Sequence, residues 1–324
     1  MGRCCSVVDD LLCALDPHHV PTFEHVFMSR VTLECKGCPT VYLGMELHWA
    51  PQGVLITGSQ MIQQLATSYN VSFGASAPQP SSPHSDRIDT PYPDIHAYQG
   101  LVGSLLYIAH MWRPDISFSV GILCRRTAAP TGGNWDDAVH LLRYLFCTRS
   151  YGITITGLGP IVVYADAGSD DGGRATTGIL TLCGASPLSW VSRKQDIITL
   201  SMTEAEYVAA AAGAQDAIWV GNLIAETIPF PLLLSLGIGT GPPELRIDSE
   251  GACQLASNPI HHRRTKHIDR RHHFIRDRLQ RGDIQLSWVT GRDNWADFFT
   301  KRLGKVELSR QCTRIGMLHS DGWL

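Results

Sequence analysis

Two acidic side chains stand where a packed core would not hold them unpaired. Ile161 to Tyr164, then Ala165, read as an apolar strand that runs straight into Asp166, with a Gly/Asp/Ser turn behind it. Glu206 lies just inside a helix that starts near Ser201 and carries Tyr207, Ala211, Ala214 and Ile218 at helical spacing. Glu204 follows Ser201 at the spacing of a capping box and is explained by capping. Glu206 is too far along the helix to cap it. A carboxylate with no evident neutralising partner is costly to bury, so it wants a cation, usually a metal. Asp170 and Asp171, close behind Asp166, read as a solvated turn loosened by Gly172 and Gly173.

The elements that must position these groups belong to a chain of 324 residues, 44% of them hydrophobic. That is enough for a sizeable core, and the length suggests about two domains. A net charge of -3 excludes a binder that works by bulk positive charge, so any nucleic-acid site must be local. No basic start with an apolar core follows Met1. No apolar run is expected to reach membrane-spanning length; Ile228 to Ile238, the longest, is broken by Pro and Gly. The expectation is an intracellular protein with no membrane partner and no small-molecule cofactor, its oligomeric state left open. Ten cysteines without framework spacing read as reduced thiols. Cys35 and Cys38 form the only CxxC pair, which reads as a turn between strands rather than a zinc site.

In chain order, residues 31–57 are strand-like with a hairpin near Pro51-Gln52-Gly53, and Ser59 precedes a helix. A Pro/Ser-rich stretch, Ser76 to Pro93, reads as an exposed loop. Three helices follow, around AYQGLVGSLLYIAHMW, ISFSVGILCRR and Asn134 to Cys147, and are expected mostly to pack against each other. His261 to Arg281 is the only strongly cationic run, with eight Arg or Lys against Asp269 and Asp277. It reads either as a solvated helix face or as a phosphate-contacting surface that steers an acidic polymer, through Arg263, Arg264, Lys266, Arg270 and Arg271. Its five histidines lack Cys partners or HExxH spacing, so zinc is not expected. The greasy stretch Leu232 to Gly241 has no account from sequence.

Several motifs, in order, carry a resemblance. GLVGSLLYIAHMWRPDISFSVGILCR and NWDDAVHLLRYLFCTRSYGITI resemble the end of the reverse transcriptase region in copia-type retrotransposon polyproteins. VVDDLL resembles that family's YVDD turn, with Val7 in place of Tyr. YADAGSDD, WVSRKQ, LSMTEAEYVA, RIDSEGACQLA, RTKHIDRRHHFIR and ADFFTK resemble the ribonuclease H domain that follows it. The likeness spans nearly the whole chain in the family's order.

The resemblance implies an α/β fold. A ribonuclease H-like mixed five-stranded sheet flanked by helices would occupy 158–303, with strands near 161–166, 176–183, 187–192, 244–248 and 284–290. Ahead of it would lie a truncated palm remnant and start of the thumb (1–75), the loop 76–93 and a helical thumb-like region (94–150), and behind it a tail, 304–324. The resemblance assigns Asp166, Glu206, Asp248 and Asp297 as catalytic metal ligands. By themselves, Asp248 could cap the next helix, with Ser249 as rival, and Asp297 could merely favour a helix dipole. The implied cofactor is a pair of Mg²⁺ ions roughly 3.5–4 Å apart, with Mn²⁺ as alternative, stabilising charge on the attacking and leaving oxygens of a phosphodiester. The implied activity is hydrolysis of the RNA strand of an RNA/DNA hybrid, which is recognised largely by shape and 2′-hydroxyls. Ser169, Thr176, Thr177 and Asn294, near the carboxylates in sequence, are the expected hybrid contacts, with backbone amides near Gly168. The loop Thr290 to Asn294 lacks the histidine that cellular relatives often carry, which leaves the proton-transfer partner unassigned. Asp9 and Asp10 match the polymerase carboxylates, but fingers and most of the palm have no counterpart here, so no DNA synthesis and only loose order at the start are expected. The rival of a different class is a catalytically inactive relic, or a partial gene model of a retrotransposon polyprotein, that at most binds nucleic acid.

Overall fold

A computed structural model describes residues 3–7, 10–15, 17–30, 36–84, 90–169, 173–228, 231, 233, 238, 241–257 and 269–323. A short hairpin, β1 (Arg3–Val7) and β2 (Asp10–Ala14), stands apart as a two-stranded sheet. Two five-stranded sheets make up the rest of the strand structure.

The sheet that carries the site contains β7 (Ile161–Ser169), β8 (Ala175–Cys183), β9 (Ser186–Lys194), β10 (Glu244–Ile247) and β11 (Gln285–Trp288). Its order is β11-β10-β7-β8-β9. β8 pairs antiparallel with both β7 and β9, while β10 pairs parallel with both β7 and β11. This is the mixed ribonuclease H-like sheet that the resemblance implied. Every residue of β8 is buried, because both of its faces are covered. Helix α6 (Met202–Thr227) lies on one face and its alanines decide how closely. Ala209, Ala210, Ala211, Ala214 and Ala217 are buried with Val163, Ala165, Ile179, Leu245 and Ile247. A Cβ at Gly213 would stand 2.9 Å from a Leu245 methyl and 3.1 Å from Ala165 Cβ, so helix and sheet meet almost backbone to backbone. Met202–Thr227 is long and apolar enough to cross a membrane by length and composition alone, its most apolar 18-residue window having mean hydropathy 1.2. That corrects the expectation that no run would; here the helix packs on a sheet.

The second sheet, order β12-β6-β5-β4-β3, is antiparallel throughout. It comprises β3 (Val41–Tyr42), β4 (Met45–Ala50), β5 (Gly53–Thr57), β6 (Tyr151–Ile155) and β12 (Met317–His319). The β4–β5 hairpin turns where Pro51-Gln52 predicts. Gly53 sits at φ +147°, and an added Cβ would lie 2.0 Å from Ile155 O. Residues 304–324, expected as a tail, instead form α9 (Lys305–Arg314) and β12, which pairs Met317 with Ile153. The physical reason is the edge of β6: its backbone groups need partners, and the chain's last strand supplies them.

Helices α2 (Ser59–Ser68), α3 (Ile95–Met111), α4 (Ser117–Cys124) and α5 (Gly132–Cys147) pack together as expected, but not only with each other. Their core residues Leu101, Leu105, Ile108, Leu141 and Leu145 share one cluster with Tyr164, Leu180, Leu182 and Trp190 of the site sheet and with Phe298 and Phe299. Trp190 Nε1 donates to Ala109 O at 2.7 Å across this junction. Sequence periodicity shows each helix has an apolar face, not which sheet it faces.

Within this core sits a buried charge with all its partners. Arg113 donates through Nε and Nη2 to the Asp115 carboxylate (2.8 and 2.6 Å) and through Nη1 and Nη2 to Thr148 O and Oγ1 (2.9 and 2.7 Å). Tyr144 OH donates to Asp115 Oδ2 at 2.7 Å. Burial alone would lower the Arg113 pKa, but the charge and hydrogen bonds of Asp115 hold it above the ordinary value.

Two further expectations change. Cys4 and Cys13, cross-strand partners in β1 and β2, form a disulfide, so reading all ten cysteines as free thiols fails for this pair. Their strands place the two side chains directly opposite. Cys38 is an exposed free thiol, while Cys35 lies outside the described residues. Of the stretch 232–241, Leu233 and Ile238 join Cys183 in a small satellite core.

Candidate active site

Asp166 lies near the C-terminal end of β7, paired across the sheet with Gly178. That glycine matters: a Cβ there would meet Ala296 O at 2.7 Å and a Thr300 methyl at 2.7 Å. Its absence lets the short 3₁₀ segment Trp295–Phe299 lie against the sheet. The segment is started by Asn294, whose Oδ1 accepts from Ala296 N at 3.1 Å and whose Nδ2 donates to Ala165 O at 3.0 Å. Thr300, just after it, donates its hydroxyl to Asp166 Oδ2.

Glu206 reaches Asp166 from the other side. Ser201 caps α6 by accepting from Glu204 N at 3.2 Å, and Glu204 turns back to accept from Leu200 N at 2.7 Å. The capping reading of Glu204 therefore holds, with its acceptor aimed one residue earlier than the standard box. Glu206, half a turn on, accepts from Ala167 N at 3.1 Å. Asp248 follows β10. Ser249, not Asp248, caps α7 (Glu250–Ser257), accepting from Ala252 N at 3.2 Å, which leaves the Asp248 carboxylate for the site. Asn294 hydrogen-bonds that carboxylate.

One oxygen from each of Asp166, Glu206 and Asp248 lies within 4.8 Å of the others. Asp297 stands beside this group rather than in it: its Oδ2 pairs with Lys301 Nζ at 2.6 Å. Its charge nevertheless helps raise the pKa of all three, so it shares their neighbourhood.

The electrostatics show like charges held together. Burial raises the Asp166 pKa to about 7, against the lowering effect of the Thr300 hydrogen bond, with Asp297 and Asp248 adding to the rise. Burial raises Glu206 to about 9, helped by Asp166 and Asp248. Asp248 is also raised, first by burial. Such a set either holds protons or binds cations.

Of the expected hybrid contacts, only Ser169 is exposed. Thr176 and Thr177 are buried and accept from Arg125 Nη2 (3.0 Å) and Gln195 Nε2 (3.1 Å), and Asn294 is fully buried. Those three are corrected to internal supports. On a central strand, side chains near a catalytic residue in sequence alternate into the packed layers. Asp9, Asp170, Asp171, Arg263, Arg264 and Lys266 lie outside the described residues, and Asp10, Arg270 and Arg271 are described only as backbone. Thr300 and Lys301 escaped the sequence reading, although both close the ADFFTK motif, three and four residues after Asp297.

No family model matches the chain. It is 33% identical over 289 residues to the retrovirus-related Pol polyprotein from transposon RE2 of Arabidopsis thaliana, covering 86% of this chain and 19% of that one. To the retrovirus-related Pol polyprotein from transposon TNT 1-94 of Nicotiana tabacum it is 33% identical over 230 residues, 69% of this chain and 16% of that one. Among solved structures, the N-terminal RNase H domain of rv2228c from Mycobacterium tuberculosis shares 17% identity at a TM-score of 0.33, covering 48% of this chain and 97% of that one. The chain spans about a fifth of the length of the curated relatives it matches. Agreement over most of its residues with these polyproteins, together with the sheet and the carboxylate group, shows that the chain belongs to the retrovirus-related Pol polyproteins of transposons.

Proposed function

We propose that this chain is a metal-dependent endonuclease that hydrolyses the RNA strand of RNA/DNA hybrids. The observation that carries the proposal is the convergence of Asp166, Glu206 and Asp248, from three separate elements, within 4.8 Å. The donor set fits the implied ion: it is all carboxylate oxygen, which suits a hard cation such as Mg²⁺, or Mn²⁺, better than zinc. Asp166, Glu206 and Asp248 would hold a first ion, and Asp297, released from Lys301, would help hold a second. Bound divalent ions supply charge stabilisation at the attacking and leaving oxygens of an in-line displacement.

The chain's own residues supply the rest. Thr300 and the Ala167 amide fix the Asp166 and Glu206 oxygens, and Asn294 ties the end of β7 to Asp248. The alanine-lined contact of α6 with β7 holds Glu206 rigidly over Asp166, and pre-organisation of this kind lowers the cost of reaching the transition state. Ser169 and the backbone at Gly168 border the site on its exposed side. Arg263, Arg264, Lys266, Arg270 and Arg271 would contact phosphates and offset the repulsion between the acidic site and its polymer. The hairpin β1–β2 pairs with no other described strand, and DNA synthesis is not part of this reading.

The test is cleavage of a labelled RNA/DNA hybrid with and without Mg²⁺, alongside double-stranded RNA and the Asp166→Asn chain. Metal-dependent cleavage of the hybrid alone, lost in the variant, is the expected result. A chain that leaves the hybrid intact at every metal concentration is the inert relic, and the reading ends there.

A further inference from the structure

The turn that ends the 3₁₀ segment aims two successive side chains at two carboxylates. Thr300 donates its hydroxyl to Asp166 Oδ2, and Lys301 Nζ pairs with Asp297 Oδ2 at 2.6 Å. The backbone beneath them is clamped. Thr300 N donates to Asp297 O at 3.3 Å. Thr300 O lies so close to β7 that a Cβ at Gly168 would meet it at 2.5 Å, and the Thr300 methyl fills the space that Gly178 leaves on β8. The base of Lys301 is therefore fixed. Its side chain is 52% exposed and ends in an ammonium on a flexible four-carbon stem.

This ammonium differs from an ordinary surface partner in the company it keeps. Asp166, Glu206 and Asp248 have raised pKa values, first through burial and further through neighbouring carboxylates, Asp297 among them. The charge of Lys301 works against that rise at Asp166 and at Asp248. Open space adjoins it: Asp297, Lys301 and Glu307 line one cavity of about 360 Å³, so the stem can swing off Asp297 without moving the core. Lys301 is a counterion fixed at one end and free at the other. It is set on the acid that stands beside the other three rather than on one of them.

We propose that Lys301 is a tethered competitor for the second divalent cation, holding Asp297 until a phosphate of the polymer takes the ammonium and frees the carboxylate. The physical reason is that two cations cannot share one carboxylate without repelling each other. A group on a short tether has an effective concentration of about millimolar order, so the ammonium rivals any free ion at or below roughly that level. Phosphate oxygen is the natural alternative partner of a lysine. The set Asp166, Glu206 and Asp248 is left open to metal alone, while the position at Asp297 opens with the substrate. This inference rests on the ribonuclease reading above and adds to it the order in which the cations are taken up.

The experiment counts ions on the full chain without nucleic acid. Mn²⁺ is titrated and free Mn²⁺ is read by electron paramagnetic resonance. The chains are the parent, Lys301→Met, Lys301→Arg, which keeps the charge, and Arg292→Met, which removes another cation lining the same cavity. The half-exposed position of Lys301 makes these changes compatible with folding. The parent is expected to bind one ion tightly and a second more weakly. Lys301→Met should tighten the second ion about tenfold, between the worth of an exposed ion pair and that of a close charge in a partly buried site, and should leave the first unchanged. Lys301→Arg and Arg292→Met should bind both ions as the parent does. Added hybrid, with its 2′-hydroxyls methylated against cleavage, should tighten the second ion in the parent and no further in Lys301→Met. A second ion no tighter in Lys301→Met, or one tightened equally by Arg292→Met, overturns the competitor; if the parent still cleaves hybrid with Mg²⁺, the ribonuclease reading stands. Tightening in a chain that never cleaves hybrid keeps the competitor and ends the ribonuclease reading. A parent that takes up no ion ends both.

Discussion

Two groups of buried charge in this protein are built in opposite ways. Arg113 and Asp115 are each sealed in the core, yet every strong donor and acceptor between them is used, with Tyr144 and Thr148 closing the network. Asp166, Glu206 and Asp248 are also withdrawn from water, but their neighbours are mostly more carboxylates. The first group brings its countercharge in the same chain. The second leaves it to be supplied from outside. A buried charge that is complete reads as architecture; one that is held together against its own repulsion reads as a binding site.

The largest effect that would break this comparison is on the complete group. Asp115→Ala leaves Arg113 buried without its countercharge and is expected to cost about 3–5 kcal/mol of stability, measured by urea unfolding. Asp166→Asn should do the reverse: it removes a repulsive charge, so the metal-free chain should melt no lower than the parent. The same change should reduce hybrid cleavage by about two to three orders of magnitude, read as kcat/KM with Mg²⁺. If Asp166→Asn destabilises as strongly as Asp115→Ala, the two groups are not of different kinds.

A third prediction follows from pH. Asp166 and Glu206 titrate near 7 and 9 in the folded chain but near 4 when unfolded. Between those limits the folded state holds protons that the unfolded state has released. Stability of the metal-free chain should thus be fullest below about pH 4 as far as these groups are concerned, and fall as pH rises toward 9. Saturating Mg²⁺ should flatten that fall. A linked measurement is calorimetric: at pH 7.5, Mg²⁺ binding should release about one proton per chain, seen as heats that change with buffer ionisation enthalpy. Heats independent of buffer would mean that the carboxylates are already ionised. The smallest effect is expected from Thr300→Val, which removes the hydroxyl donated to Asp166. It should lower activity about tenfold, the scale of an outer-shell partner, with little change in melting.

Much of this arrangement is legible in the amino-acid sequence. The apolar run into Asp166, the Ser201 cap and the Pro51-Gln52-Gly53 turn are local signals, and the strands and helices they announce are found close to their expected limits. Glu204 and Glu206 were separated by position alone, because a capping acid must lie within a turn of the helix start. The contact roles of Thr176, Thr177 and Asn294 were misjudged by the same kind of argument. Nearness along the chain says nothing about which layer a side chain enters on a fully covered strand.

By itself, the amino-acid sequence determined the elements and their ends, since periodicity, caps and turn residues act over a few residues. Tertiary structure alone decided two things: that one core joins the helices to the ribonuclease-like sheet, and that Met317–His319 closes the second sheet. Each depends on which strand edge or apolar face finds a partner far along the chain. That choice is made by the whole packed chain, because burying one face against another settles the alternatives only when all of them compete at once.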